Sequence, residues 1–238
     1  MLWDTRLQLH WAAQAAAGVG RTLLAPQGDF SHESFSWSGD DGALFVASTP
    51  RAGIRLRDMT LLAGDETFPM NGHTLADGFA FFERVFASAP LKHPPEGMPE
   101  HPVARGGVFD ANPQDLAELD RYYSVAAEML EEVRARETGA GRVRCWPHHF
   151  DIATLITISG HGEEAHTIGV GMAPGDEGNR EPYYYVTPWP YPKDPPQPPL
   201  ASGAWHTEGW FGAVLPARET DAIRSFLAEA IGHARVLV

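Results

Sequence analysis

The stretch Trp146-Pro147-His148-His149-Phe150-Asp151 sets two imidazoles and a carboxylate at the head of Ile152-Ala153-Thr154-Leu155-Ile156-Thr157-Ile158, a β-branched run of the kind that forms a buried strand. With strand geometry carried back through the motif, period-two alternation points His149 and Asp151 one way and Trp146, His148 and Phe150 the other. A second pair of the same kind lies in Trp205-His206-Thr207-Glu208-Gly209-Trp210, where the same spacing puts His206 and Glu208 on one face. Two imidazoles and two carboxylates make a donor set for zinc, iron or manganese. Because each ligand reaches its ion at roughly 2 Å, such a site requires the tips of His149, Asp151, His206 and Glu208 within about 8 Å of one another.

The reaction that fits this donor set is metal-dependent hydrolysis of a small polar molecule, with Glu181 as general base toward a metal-bound water. Trp146, His148, Tyr183, Tyr185 and Trp205 are the candidate walls of the ligand pocket, since Tyr183 and Tyr185 share one side of their strand with Glu181. Two other readings stand beside it. In one, an aromatic and acidic pocket in the second half of the chain holds a small cation or neutral ligand with no catalysis and no cofactor. In the other, the polar residues are an internal network that fixes loops. The helical zinc-protease spacing, the Gly-x-Ser-x-Gly elbow and the phosphate-binding glycine loop are all absent from the sequence. Gly169-Val170-Gly171 lies inside a strand pattern, unlike a dinucleotide fingerprint. Cys145 reads as a small core residue, and His10, His32, His73, His93, His101 and His233 receive no role.

The elements that would position these residues alternate in type. Trp3, Leu7, Trp11, Ala15 and Val19 recur every fourth residue and predict a first helix ending at Gly18 and Gly20. Phe35 to Ser38 and Ala43 to Ala47, joined by Gly39-Asp40-Asp41-Gly42, predict a hairpin, with a third strand through Ile54 to Arg57. Thr74 and Asp77 form a capping box before a helix carrying Phe79, Phe82 and Phe86. Residues 89 to 112 carry prolines and glycines without hydrophobic period and predict a linker. Asn112 and Pro113 open a long helix that closes near Gly139. Strands are expected over 143–158, 166–172, 181–187 and 205–215, with an irregular proline-rich passage over 188–199 and a closing helix over 218–232.

Together these predict an α+β fold with an antiparallel sheet or sheets flanked by helices; residues 1–100 and residues 101–238, the latter carrying the candidate site, read either as two similar halves or as α+β regularity alone, and as two domains or as one. A net charge of -13, from 18 Lys and Arg against 31 Asp and Glu, argues against nucleic-acid and anionic-membrane partners. One cysteine excludes an internal disulfide and suits a reducing, cytoplasmic setting, while the oligomeric state is left open.

Trp146 to Leu155, Gly169 to Asp176, Glu181 to Pro192 and Trp205 to Gly209 resemble a group of bacterial proteins that share the Trp-Pro-His-His-Phe-Asp motif. Trp3-Asp4-Thr5 with Leu9-His10 and Gln14 is similar to a broader bacterial domain family of unknown function. The resemblance implies a soluble bacterial protein and transfers no catalytic role to any residue.

Overall fold

In the computed structural model, which describes residues 1–238 apart from the side chain of Glu163, four helices accompany two antiparallel sheets. The chain forms two compact units that interleave in sequence: residues 1–124 with 144–150, and residues 125–143 with 151–238. The expected α+β class is what forms.

In the first unit, helix α1 (Leu2–Leu23) runs straight through Gly18 and Gly20 and buries every residue from Thr5 to Gly20. A helix hidden all round, not on one stripe, needs cover on every side. The sheet gives one side, with strands β1 (Ser36–Ser38), β2 (Ala43–Val46), β3 (Ala52–Arg55), β4 (Thr60–Ala63) and β5 (Glu66–Pro69) in sequential order. Helix α2 (Leu75–Phe86) gives another and starts on the expected capping box, with the Thr74 hydroxyl and the Asp77 carboxylate each closing a backbone donor. The proline-rich passage lies along α1 within this unit: Trp11 Nε1 donates to Pro99 O at 2.9 Å and the Lys92 amide to Thr22 Oγ1 at 2.7 Å.

Strands β4 and β5 escape a periodicity search for a physical reason. Thr60-Leu61-Leu62-Ala63 is buried on both faces, so nothing alternates. Strand β5 is a four-residue edge that ends in Pro69, where a missing amide costs no ladder bond. The third strand also stops at Arg55, and Leu56–Asp58 turn as a single 3-10 coil. Gly53 of β3 has no room for a side chain: a Cβ there would stand 2.3 Å from Leu44 O and 2.5 Å from the Phe45 ring, which lies across it.

Helix α3 (Pro113–Arg136) begins in the first unit and continues into the second. Asn112 caps it through Oδ1, which accepts from the amides of Gln114 and Asp115, and Pro113 holds the first helical position. Strand β6 (Arg144–Trp146) bridges back to Phe35 in the first unit.

The second unit is built on strands β7 (Asp151–Ser159), β8 (His166–Ala173), β9 (Tyr183–Trp189), β10 (Ala204–His206) and β11 (Gly212–Pro216) in the order β10-β11-β9-β8-β7. The expected single strand over 205–215 is therefore a hairpin, broken by Gly209 at φ +80°. Helix α4 (Ile223–Leu237) packs on β8, β9 and β11 and covers the face that carries Ile168, Val170, Met172, Tyr184, Val186 and Leu215. The opposite face carries Asp151, Ala153 and Leu155 of β7, Gly169 and Gly171 of β8, Tyr183, Tyr185 and Trp189 of β9, and His206 of β10, as the strand registers require.

Candidate functional site

The histidine motif is a turn, which corrects the continuous strand expected over 143–158. Strand β6 ends at Trp146, residues 147–150 reverse direction, and β7 starts at Asp151. The Phe150 amide donates to Trp146 O at 2.7 Å, and Phe150 sits in the left-handed region at φ +61°. A left-handed phenylalanine costs on the order of 1 kcal/mol and persists only where its surroundings hold it. The hold is a set of buried polar side chains on α1 and α3. Arg6 donates to His149 O at 3.0 Å, while His10 Nε2 and Gln14 Nε2 both donate to Pro147 O, at 2.7 and 2.6 Å. Tyr123 donates its hydroxyl to Phe150 O, and the His10 and Phe150 rings stack 5.1 Å apart. Arg6, His10 and Gln14 stand four residues apart on one helix face, so a helical repeat of polar residues reads out the carbonyls of one turn.

His10 is neutral in this cradle. Burial first, and then the Arg6 guanidinium, holds its pKa well below the usual 6.5, and Arg6 Nη1 lies 3.3 Å from Nδ1, the ring nitrogen left to accept. His10 had no role by sequence, because a lone histidine on an apolar helix gives no signal; the spacing Arg6, His10, Gln14 was the available clue. The turn directs its side chains outward: His148 and His149 are exposed, with ring centroids 4.4 Å apart, and Trp146 lies 6.3 Å from His148.

The expected alternation also fails at the second pair. Strand β10 stops at His206, so Glu208 stands in the following bend, exposed, and His206 Nε2 lies 2.8 Å from the backbone oxygen of Glu208 itself. His206 packs on Trp210 with centroids 4.3 Å apart. Of the four expected ligands, His149 belongs to the first unit and Asp151, His206 and Glu208 to the second. Within the second, Asp151 begins β7 and His206 ends β10, the first and last strands of its order, a span of roughly 19 Å for a flat sheet. Among the described residues no group of three or more His, Cys, Asp or Glu is arranged to hold a metal ion. Glu181 is exposed and ion-paired with Arg218. Trp205 faces α4: it stacks on Phe211 at 5.2 Å, meets His233 at 6.1 Å, and anchors the proline-rich passage by donating to Pro198 O at 2.8 Å.

What the second unit does bring together is Asp151, Tyr183, Tyr185 and Trp210 on the face away from α4. Gly171 makes this possible. A Cβ there would lie 2.6 Å from the Tyr185 ring, so the ring crosses bare backbone to place its hydroxyl on Asp151 Oδ2 at 2.5 Å. Trp210 meets Tyr185 edge-on at 6.2 Å and lies over Gly212 in the same manner. Tyr183 stands 6.5 Å from Tyr185 and donates to Asp176, whose other oxygen closes the loop at Gly178 and Asn179. Asp151 is 9% exposed, and its Oδ1 is buried without a hydrogen-bond partner in the protein. A buried carboxylate oxygen that no donor meets costs about 1–3 kcal/mol or more. Comparison of the chain with protein families, with curated proteins and with solved structures finds no match.

Proposed function

We propose that the protein binds a small organic cation, of the ammonium or guanidinium class, at Asp151 on the face of its second unit away from α4, without chemical conversion of the ligand. The observation that carries this is Asp151: one oxygen is taken by Tyr185, and the other is buried and lacks a donor. A cationic N–H group satisfies that oxygen and its charge together. The ring of Tyr185, which has Tyr183 and Trp210 as ring neighbours, supports a cation over a neutral donor, because an aromatic face attracts positive charge by about 0.5–2 kcal/mol. The net charge of -13 draws cations toward the molecule as a whole.

The test is an NMR titration of the full chain with ethylammonium, guanidinium and tetramethylammonium chlorides, following the amides of Gly171 and Tyr185 and the Trp210 indole. Saturable shifts for the two N–H donors, weakened tenfold or more in a folded Asp151→Asn variant, are expected. Equal binding by wild type and variant, or no saturable shift in the folded wild type, would sink the proposal. Stoichiometric zinc, iron or manganese in the purified protein, lost in a His149→Ala, His206→Ala variant, would replace it with the metal-dependent alternative.

A further inference from the structure

The first unit has an open sheet face of its own, away from the face that meets α1, and it carries a different set of charges. Asp41, Phe45, Arg51, Arg55, Leu62 and Asp65 surround a hollow of about 380 Å³. Its floor is a small apolar cluster, Ala43, Phe45 and Leu62, each buried although it lies on the side of the sheet away from α1. The same device as in the second unit lays the aromatic ring flat: Phe45 crosses Gly53, where a Cβ would collide with it at 2.5 Å. On that ring lies the Arg51 guanidinium, its central carbon 3.6 Å from the centroid.

The charges in the hollow divide into engaged and unengaged groups. Arg55 is taken up by Asp58 through three contacts of 2.7 to 3.0 Å. Asp41 accepts from Ser38 at 2.7 Å and lies 3.5 Å from Arg51, a distance that brings charge without a formed hydrogen bond. Among the described residues Arg51 donates no hydrogen bond and Asp65 accepts none, while both line the same hollow. A guanidinium stacked on a ring keeps its N–H edges for a planar acceptor and has little rotamer freedom left to lose. The hollow thus offers one oriented donor fork, one unengaged carboxylate and an apolar floor, at a volume within the range of small-molecule sites.

We infer that this hollow is a second binding site, for a small zwitterion of the α-amino acid class. Arg51 takes the ligand carboxylate in a two-point contact, Asp65 takes the ammonium, and Leu62 meets the ligand's apolar part. Neither charge alone fits: a simple anion meets the carboxylates of Asp41 and Asp65, and a simple cation meets Arg51 and Arg55. The two charges of the ligand have to be presented together.

A chemical-shift titration of the full chain with L-alanine and L-leucine, run beside sodium acetate and ethylammonium chloride as half-ligands, decides it. Saturable shifts at the amides of Arg51, Gly53 and Asp65 with either amino acid are expected, at least tenfold tighter than with either half-ligand. Arg51→Ala and Asp65→Asn, both surface changes, are each expected to weaken binding tenfold or more while leaving the spectrum of the remaining residues in place. Acetate binding as tightly as the amino acids would make this an anion site and overturn the inference. So would the absence of saturable shifts, or binding indifferent to both substitutions. The Asp151→Asn variant leaves this titration unchanged, so the two sites stand or fall separately.

Discussion

His10 shows how much a single residue's chemistry depends on its setting. Burial first, and then the Arg6 guanidinium, holds the ring neutral with its folded pKa well below 6.5, against the hydrogen bond from Nε2 to Pro147 O, which favours the protonated form. Above pH 6.5 both folded and unfolded chains carry a neutral imidazole there, and the residue confers no pH dependence. As pH falls through 6.5 the unfolded chain takes up a proton that the folded chain refuses, so stability drops by up to about 1.4 kcal/mol per pH unit until the folded pKa is reached. His10→Gln keeps a donor for Pro147 and cannot titrate. Its melting temperature is expected to fall less than that of the wild type between pH 7 and pH 5, and parallel curves would refute the neutral cradle. Tyr123→Phe removes the hydroxyl from Phe150 O and strands that buried carbonyl. A loss of about 1–3 kcal/mol in urea denaturation is expected.

At the scale of elements, two glycines allow aromatic rings to lie on sheets, and they differ in what a methyl group would strike. At Gly171 the obstacle is the tip of Tyr185, which can swing away, with Ala153 at 2.8 Å. At Gly53 it is the backbone oxygen of Leu44 at 2.3 Å, which cannot move without breaking strand pairing. Gly53→Ala is therefore expected to destabilise more than Gly171→Ala, with the latter in the range of about 1–3 kcal/mol. Gly171→Ala also detaches Tyr185 from Asp151, which a shift in the Tyr185 ring resonances would report. The capping box of α2 was visible from Thr74 and Asp77 alone, and Thr74→Ala is expected to cost about 1 kcal/mol. In contrast, the turn at 147–150 was invisible. Its residues have the composition of a strand end, and the left-handed Phe150 is imposed by carbonyl contacts from α1 and α3, more than a hundred and about thirty residues away in sequence.

For the whole molecule, the excess of 13 negative charges sets a background that no single contact removes. Self-repulsion of that size opposes the compact state and is screened within about 10 Å at 0.1 M salt. The melting temperature at pH 7 is expected to rise between about 0.02 and about 0.5 M NaCl. A fall would mean that surface ion pairs such as Arg224 with Glu132 outweigh the repulsion. Among the described residues no helix is long and apolar enough to cross a membrane.

By itself the sequence determined the α+β class, the long helices, the first hairpin and the caps at Thr74 and Asn112, because those follow from periodicity and from hydrogen bonds within a few residues of chain. It also marked Asp151, Tyr183 and Tyr185 as worth attention. Only the tertiary structure decided which of the marked residues meet. Alternation along one strand says which face a side chain takes, but it ends where the backbone turns, as at 147–150, and a bare glycine on the neighbouring strand lets a ring cross to a partner that spacing cannot name. That is why Asp151 met Tyr185, thirty-four residues on, and why His206 folded back onto its own chain.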